Sequence, residues 1–226
     1  MTRHSPFRLD GRVALVTGAN TGLGQALAVA LAEAGARVVL VGRSAMTETE
    51  ARLDAIGADH FAVMADLSQH SALPGVVEEA VGWGGQLDIL VNNAGIIRRA
   101  DALDFTEADW DAVMDTNLKS AFFLSQAAAR HMVPRKTGKI INIASLLSFQ
   151  GGVRIASYTA SKSGLAGLTK LLACEWAQHG INVNAIAPGY FVTNNTEALR
   201  NDPDRHAAIL ARIPAGHWGD PADLGG

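Results

Sequence analysis

Six short apolar runs, at residues 13–17, 38–41, 60–64, 87–91, 139–144 and 181–187, alternate along this sequence with stretches of helical spacing. Apolar runs without alternation fit strands buried on both faces, and strands that alternate with helices assemble into a parallel sheet covered on both sides. The expected fold is therefore α/β, a doubly wound parallel sheet of six strands in three layers. At 226 residues and 48% hydrophobic, one domain spanning residues 1–226 has enough apolar surface for a sizeable core. No repeat or interdomain linker interrupts it.

Charge and cysteine content narrow the function classes. A net charge of −3 gives no basic excess, which argues against nucleic acid or an anionic membrane as partner. The most apolar region, residues 26–41, is broken by Glu33, Gly35 and Arg37, so no membrane span is expected. Residues 1–10 are polar and unlike a secretory signal. Cys174 is the only cysteine, and its helical, apolar setting reads as a packed thiol in a reducing cytosol. The seven histidines are scattered without metal-ligand spacing, so no structural metal is expected.

The first strand runs into Gly18-Ala19-Asn20-Thr21-Gly22-Leu23-Gly24 and then into a helix. Gly18 suits a tight turn, Gly22 a close backbone approach to a diphosphate, and Gly24 close helix-to-strand packing. The helix start offers free N–H groups to an anion. After the second strand the chain reads Gly42-Arg43-Ser44, with no carboxylate for an adenosine ribose. Arg43 either pairs with the 2′-phosphate of NADP(H) or is a solvated loop residue. Asp66, followed by Leu67 and Ser68, is placed equally to accept from an adenine amino group or to cap the next helix. Asn92, Asn93, Ala94 and Gly95 follow the fourth strand, to hold its end open for a cofactor ribose or simply to turn. Pro188 and Gly189 end the sixth strand, after which Thr193 and the Val192 backbone are candidates to hold a nicotinamide carboxamide. Residues 189–213, with a helical 194–213, read as a substrate lid.

Between residues 140 and 170 lie Ser145, Tyr158 and, one helical turn beyond the tyrosine, Lys162. Residues four apart on a helix share a face. A fixed positive charge favours the phenolate, and a shift of about 3 units from the usual ~10 needs roughly 4 kcal/mol. Tyr158 is thus a candidate acid/base group, although Tyr and Lys at this spacing also line ordinary amphipathic faces. Asn117 sits within the helical stretch 107–132, where asparagine is a poor interior residue. A link towards Lys162 would explain it; sequence alone favours a plain exposed side chain.

TGANTGLG, NNAG at 92–95, Asn117, Ser145, YTASK at 158–162 and PGYFVT at 188–193 together resemble the short-chain dehydrogenase/reductases, in that family's order and over nearly the whole chain. The resemblance implies a Rossmann-like sheet, an NAD(P)(H) cofactor and hydride transfer at a secondary alcohol or ketone. It makes Tyr158 the proton carrier, Lys162 the residue that lowers its pKa and binds the nicotinamide ribose, Ser145 the orienter of the substrate oxygen, and Asn117 part of a water-linked relay. It also implies a homo-oligomer, dimer or tetramer, and a seventh strand following the point where this sequence reads Leu224-Gly225-Gly226.

A finer resemblance, carried by stretches such as NNAGIIRRADALDF and YTASKSGLAGLTKLLACEWA, is to members that act on keto-deoxy sugar acids of uronate breakdown and are read as using NAD(H). A carboxylate substrate calls for a cation, and Arg98, Arg99 and Arg154 are candidates, with Gln150 and Asn194 as further substrate contacts. Other polyols, a 3-oxoacyl thioester, or a non-catalytic cofactor-binding regulator are the alternatives.

Overall fold

The computed structural model describes residues 7–225; the reading of residues 1–6 lies outside them. The elements run β1 (Val13–Thr17), α1 (Gly22–Glu33), β2 (Arg37–Gly42), α2 (Thr47–Ala55), β3 (His60–Met64), α3 (Leu73–Gly84), β4 (Ile89–Asn92) and α4 (Glu107–Met114). After a π-helical turn at Asp115–Lys119 come α5 (Ser120–Arg135), β5 (Gly138–Ile143), α6 (Ala156–Trp176) and β6 (Ile181–Ile186). Two short helices, α7 (Glu197–Arg200) and α8 (Pro203–Leu210), close the described chain with a 3₁₀ turn at Pro221–Gly225.

All six strands are parallel, in the order β3-β2-β1-β4-β5-β6. Alternate residues of one strand serve opposite cores, as the two-residue period of a strand requires. Val13 and Leu15 pack with Val77, Leu124 and Leu172 of α3, α5 and α6, whereas Ala14 and Val16 pack with Leu27, Ala28 and Leu53 of α1 and α2. The central strands β1, β2 and β4 are therefore buried on both faces, whereas the edge strand β6 departs from that expectation and leaves Asn182, Asn184 and Ala185 exposed.

Strand order reverses between β1 and β4, and the crevice beyond the carboxyl ends of such neighbouring strands is where this architecture binds ligands. The strand tips there are tied rather than splayed. The Thr17 hydroxyl accepts from the backbone N–H groups of Asn93 and Ala94, each at 3.0 Å. Asn93 donates back to the Thr17 carbonyl at 2.9 Å. Asn92 is buried and donates to Asn142 Oδ1 at 2.9 Å, joining β4 to β5.

Two expectations are corrected here. Cys174 is exposed on α6, because the sheet-facing residue of that turn is Leu172. The strand expected over 87–91 is regular from Ile89 to Asn92; Asp88 before it bonds Val13 and Lys139 through its backbone, and its carboxylate also accepts from the Val13 N–H at 2.9 Å. Among the described residues no helix is long and apolar enough to cross a membrane.

Candidate active site

The glycine turn follows from two crowded positions. Gly18 has a φ of +66°, and a Cβ there would come 2.9 Å from the Ala94 Cα. At Gly24 a Cβ would overlap the Gly18 carbonyl oxygen. The helix that follows begins at Gly22, entered through Thr21, which is extended at φ −156° and gives no side-chain cap, and its first turn holds no acidic residue. Its leading N–H groups are thus left to an anion, so the residues present fit a dinucleotide diphosphate.

One cleft joins this turn to the candidate catalytic residues. Gly18, Thr21, Gly22, Leu23 and Gly24 line it together with Asn93, Ala94, Gly95, Ser145, Tyr158, Lys162, Pro188, Gly189, Thr193 and Asn194. Ile97, Ile143, Ala144, Phe191, Asn195 and Thr196 also line it and were not singled out from the sequence. The apolar side chains of Ile97, Ile143 and Ala144 carry no chemical signal and only the fold brings them here, while Phe191, Asn195 and Thr196 belong to the stretch read as a lid.

Ser145 lies just past the tip of β5, extended at φ −164°, its Oγ accepting from the Leu147 N–H at 3.2 Å. That loop is fastened to α6 by the Ser148 hydroxyl, which donates to the Lys162 carbonyl at 2.7 Å. Tyr158, in the first turn of α6, faces it. Burial raises the Tyr158 pKa above its ordinary value, while a hydrogen bond with Ser145 and the charge of Arg99 act to lower it.

Lys162 departs from expectation. Its ammonium donates to the Ile143 carbonyl at 2.5 Å and lies 5.7 Å from the centre of the Tyr158 ring. Burial lowers its own pKa to about 8. The expected depression of the phenol by this lysine is therefore not the balance found; desolvation of the tyrosine prevails.

Asn117 is corrected outright: it is 1% exposed. It sits in the π-helical turn, where its Oδ1 accepts from the Ile96 N–H at 2.8 Å and its Nδ2 donates to the Ile96 carbonyl at 3.0 Å and to Ser161 Oγ at 3.3 Å. The wide turn lets an interior side chain reach a neighbouring loop, which is the local reason for an asparagine in a helix.

The remaining candidates divide. Arg43 is exposed at the tip of β2, and its charge contributes to lowering the pKa of Asp66. Asp66 Oδ1 accepts from the Ser68 N–H at 3.0 Å and its hydroxyl at 2.8 Å in a local turn that caps neither following helix, and Leu67 is buried. The Val192 N–H is taken by the Gly219 carbonyl at 2.9 Å, so that donor is not free for a carboxamide, and Val192 borders a neighbouring groove against α1. Arg98 is paired with Asp109 at 3.1 Å and Arg154 with Asp101 at 3.2 Å, so neither brings an unpaired charge. Arg99 instead donates to the Asn195 carbonyl at 3.1 Å, at the edge of the cleft. Gln150 is exposed and does not line the cleft.

Comparison with known proteins agrees with this architecture. Residues 12–204 match the family model described as short chain dehydrogenase. The 2-dehydro-3-deoxy-D-gluconate 5-dehydrogenase of Escherichia coli (strain K12) is 57% identical over 98% of this chain and 88% of its own length. A solved structure from Agrobacterium tumefaciens with bound NADP is 57% identical, covers 98% of this chain and 88% of that one, and superposes with a TM-score of 0.92. A gluconate 5-dehydrogenase from Burkholderia cenocepacia in complex with NADP and tartrate is 41% identical, with the same coverage and a TM-score of 0.92.

Proposed function

The chain belongs to the short chain dehydrogenase family, and from that membership we propose that it is an NADP-dependent oxidoreductase of a keto-deoxy sugar acid such as 2-dehydro-3-deoxy-D-gluconate. It interconverts a secondary alcohol and a ketone. The observation that carries the reading is the convergence of Ser145, Tyr158 and Lys162 on the cleft that also contains the uncapped glycine turn.

When bound, the nicotinamide supplies or accepts the hydride. The turn from Gly18 to Gly24 would hold the cofactor's diphosphate, and Arg43 would meet its adenosine end. Ser145 orients the substrate oxygen. Tyr158 gives that oxygen a proton in reduction and takes it in oxidation; a phenol held above its ordinary pKa starts as the donor. Lys162 holds α6 against the tip of β5, so Ser145 and Tyr158 keep their spacing. Asn117 holds the Ile96 backbone, and with it the wall of the cleft after Gly95.

Arg99 is the cation for the substrate carboxylate, because Arg98 and Arg154 are already paired. Residues 189–213 form the lid, whose first part lines the cleft through Phe191, Thr193, Asn194, Asn195 and Thr196. The outer face of α6 leaves Leu171 half exposed, which suits a homo-oligomer contact in a cytoplasmic enzyme.

The test is turnover of the keto acid with NADPH and with NADH, followed by absorbance of the reduced nicotinamide. Tyr158→Phe should bind NADPH yet turn over about 10²–10⁴ times more slowly. Near-normal turnover by that variant would overturn the mechanism; absence of turnover with the acid but activity on simple polyols would overturn the substrate class.

A further inference from the structure

The loop leaving β2 is bracketed by a single side chain from the neighbouring turn. Asn20 Nδ2 donates to the Ser44 carbonyl at 2.7 Å, to the Ser44 hydroxyl oxygen at 3.2 Å and to the Ala45 carbonyl at 3.2 Å. Gly42 leaves the room for this crossing, since a Cβ there would overlap Asn20 Oδ1. A second tie lies behind it. Gln25 donates to the Thr49 hydroxyl at 3.0 Å, which donates in turn to the Ala19 carbonyl at 2.7 Å, and both side chains are buried. The glycine turn and the start of α2 are therefore one rigid piece.

The bracket sets the direction of a proton. An amide nitrogen has two hydrogens, and a hydroxyl has one hydrogen and two acceptor sites. Two hydrogens are shared among three acceptors, the Ser44 carbonyl being the nearest at 2.7 Å; a Ser44 hydroxyl oxygen that takes its share keeps its own proton for an outside acceptor. Ser44 is exposed and follows Arg43 directly, so a guanidinium and a hydroxyl donor stand side by side at the tip of β2. Such a pair suits a phosphate, which takes charge-assisted hydrogen bonds from both. Held in advance, the loop loses less freedom when the anion arrives.

We propose that Asn20 is a positioning residue for the 2′-phosphate of NADP: it fixes the 43–45 loop so that Arg43 and the Ser44 hydroxyl grip that phosphate together. The proposal rests on the NADP reading above and assigns the selectivity to an amide in the neighbouring turn.

Calorimetric titration with two fragments, adenosine 2′,5′-bisphosphate and adenosine 5′-diphosphate, reads the grip apart from any turnover. The unaltered protein should bind the 2′-phosphorylated fragment more tightly, and Arg43→Ala should abolish that preference. Asn20→Ala frees the loop that carries both phosphate ligands and should reduce the preference about tenfold. Ser44→Ala alters an exposed side chain that carries no core packing, and it should reduce the preference about threefold. If Asn20→Ala weakens both fragments equally and Ser44→Ala changes neither, the bracket serves the glycine turn alone and the proposal falls. If the unaltered protein shows no preference, the NADP reading fails and takes this proposal with it.

Discussion

The Lys162 ammonium donates to the main-chain carbonyl of Ile143 at 2.5 Å, which pins the first turns of α6 to the last residue of β5. Ser145 lies two residues beyond that carbonyl and Tyr158 one helical turn before the lysine. One nitrogen therefore sets the distance between the two groups that handle the substrate oxygen.

Holding a cation there has a cost. Burial lowers the Lys162 pKa from 10.5 to about 8, which corresponds to roughly 3 kcal/mol of folding free energy. Below about pH 8 the amine is protonated both folded and unfolded, and the full cost is present. Between pH 8 and 10.5 the unfolded chain still holds a proton that the folded chain has released, so stability rises with pH. Lys162→Met removes the cost but strands the Ile143 carbonyl, a loss of about 1 kcal/mol. The variant should be inactive and about 1–2 kcal/mol more stable at pH 7, with a flatter stability profile above pH 8. Urea unfolding at pH 7 and 9.5 checks this; a variant less stable at pH 7 would contradict it.

Arg99 links substrate capture to proton transfer, since its charge acts to lower the pKa of Tyr158. Arg99→Gln should raise KM for the keto acid by tenfold or more, taking a charge-assisted hydrogen bond at about 1.5–3 kcal/mol. It should also move the tyrosine limb of the pH profile upward: reduction, which needs the protonated phenol, persists to higher pH, and oxidation starts later. Steady-state kinetics in both directions from pH 6 to 10 tests the pair of effects. A raised KM with an unmoved pH limb would leave Arg99 as a substrate contact only.

Asn117 gives a prediction that separates wall from relay. Its three hydrogen bonds reach Ile96 and Ser161, so Asn117→Ala should cost about 2–3 kcal/mol and loosen the segment after Gly95. Amide exchange at Ile96 and Ile97 should then quicken along with any loss of turnover. Lost turnover with unchanged exchange there would mean that the side chain acts on protons rather than on the wall.

The sheet was legible because strands leave a plain trace: apolar runs of four to seven residues, cut by glycines and prolines. Local chemistry was legible too, since the glycine turn and the spacing from Tyr158 to Lys162 are short-range patterns. Long-range pairing was not. Helix propensity assigned Asn117 to the surface, yet its partner Ile96 lies on a loop 21 residues away. Val192 was read as a free backbone donor because Gly219, which takes its N–H, belongs to a distant strand-like segment. Three arginines looked equivalent until Asp109 and Asp101 were seen to neutralise two of them. Thr17 passed as an ordinary strand residue, although its hydroxyl ties β1 to Asn93 and Ala94.

Asp88 offers a test at the opposite end of the sheet. Its side chain is nearly buried and receives the Val13 N–H at 2.9 Å, Arg135 at 2.6 Å, Gln86 at 2.9 Å and Arg12 at 3.3 Å. Burial acts to raise its pKa, but these hydrogen bonds and the Arg135 charge outweigh it, and the pKa falls below the ordinary value. A lowered carboxylate pKa contributes stability that is present above the unfolded value, near 3.9, and is lost as pH falls through the folded one. Asp88→Asn keeps the shape but leaves two arginines without their buried counter-charge, so it should cost about 3 kcal/mol at pH 7. The deficit should shrink below pH 4, where the unfolded chain takes up the proton first and the folded carboxylate follows only at lower pH. Because Asp88 precedes β4 while the cleft lies beyond its other end, kcat and KM of the folded variant should stay within about twofold. Denaturant unfolding at pH 7 and 3.5 with kinetics at low temperature measures all three, and a deficit that persists undiminished at pH 3.5 would show that packing rather than charge holds this corner.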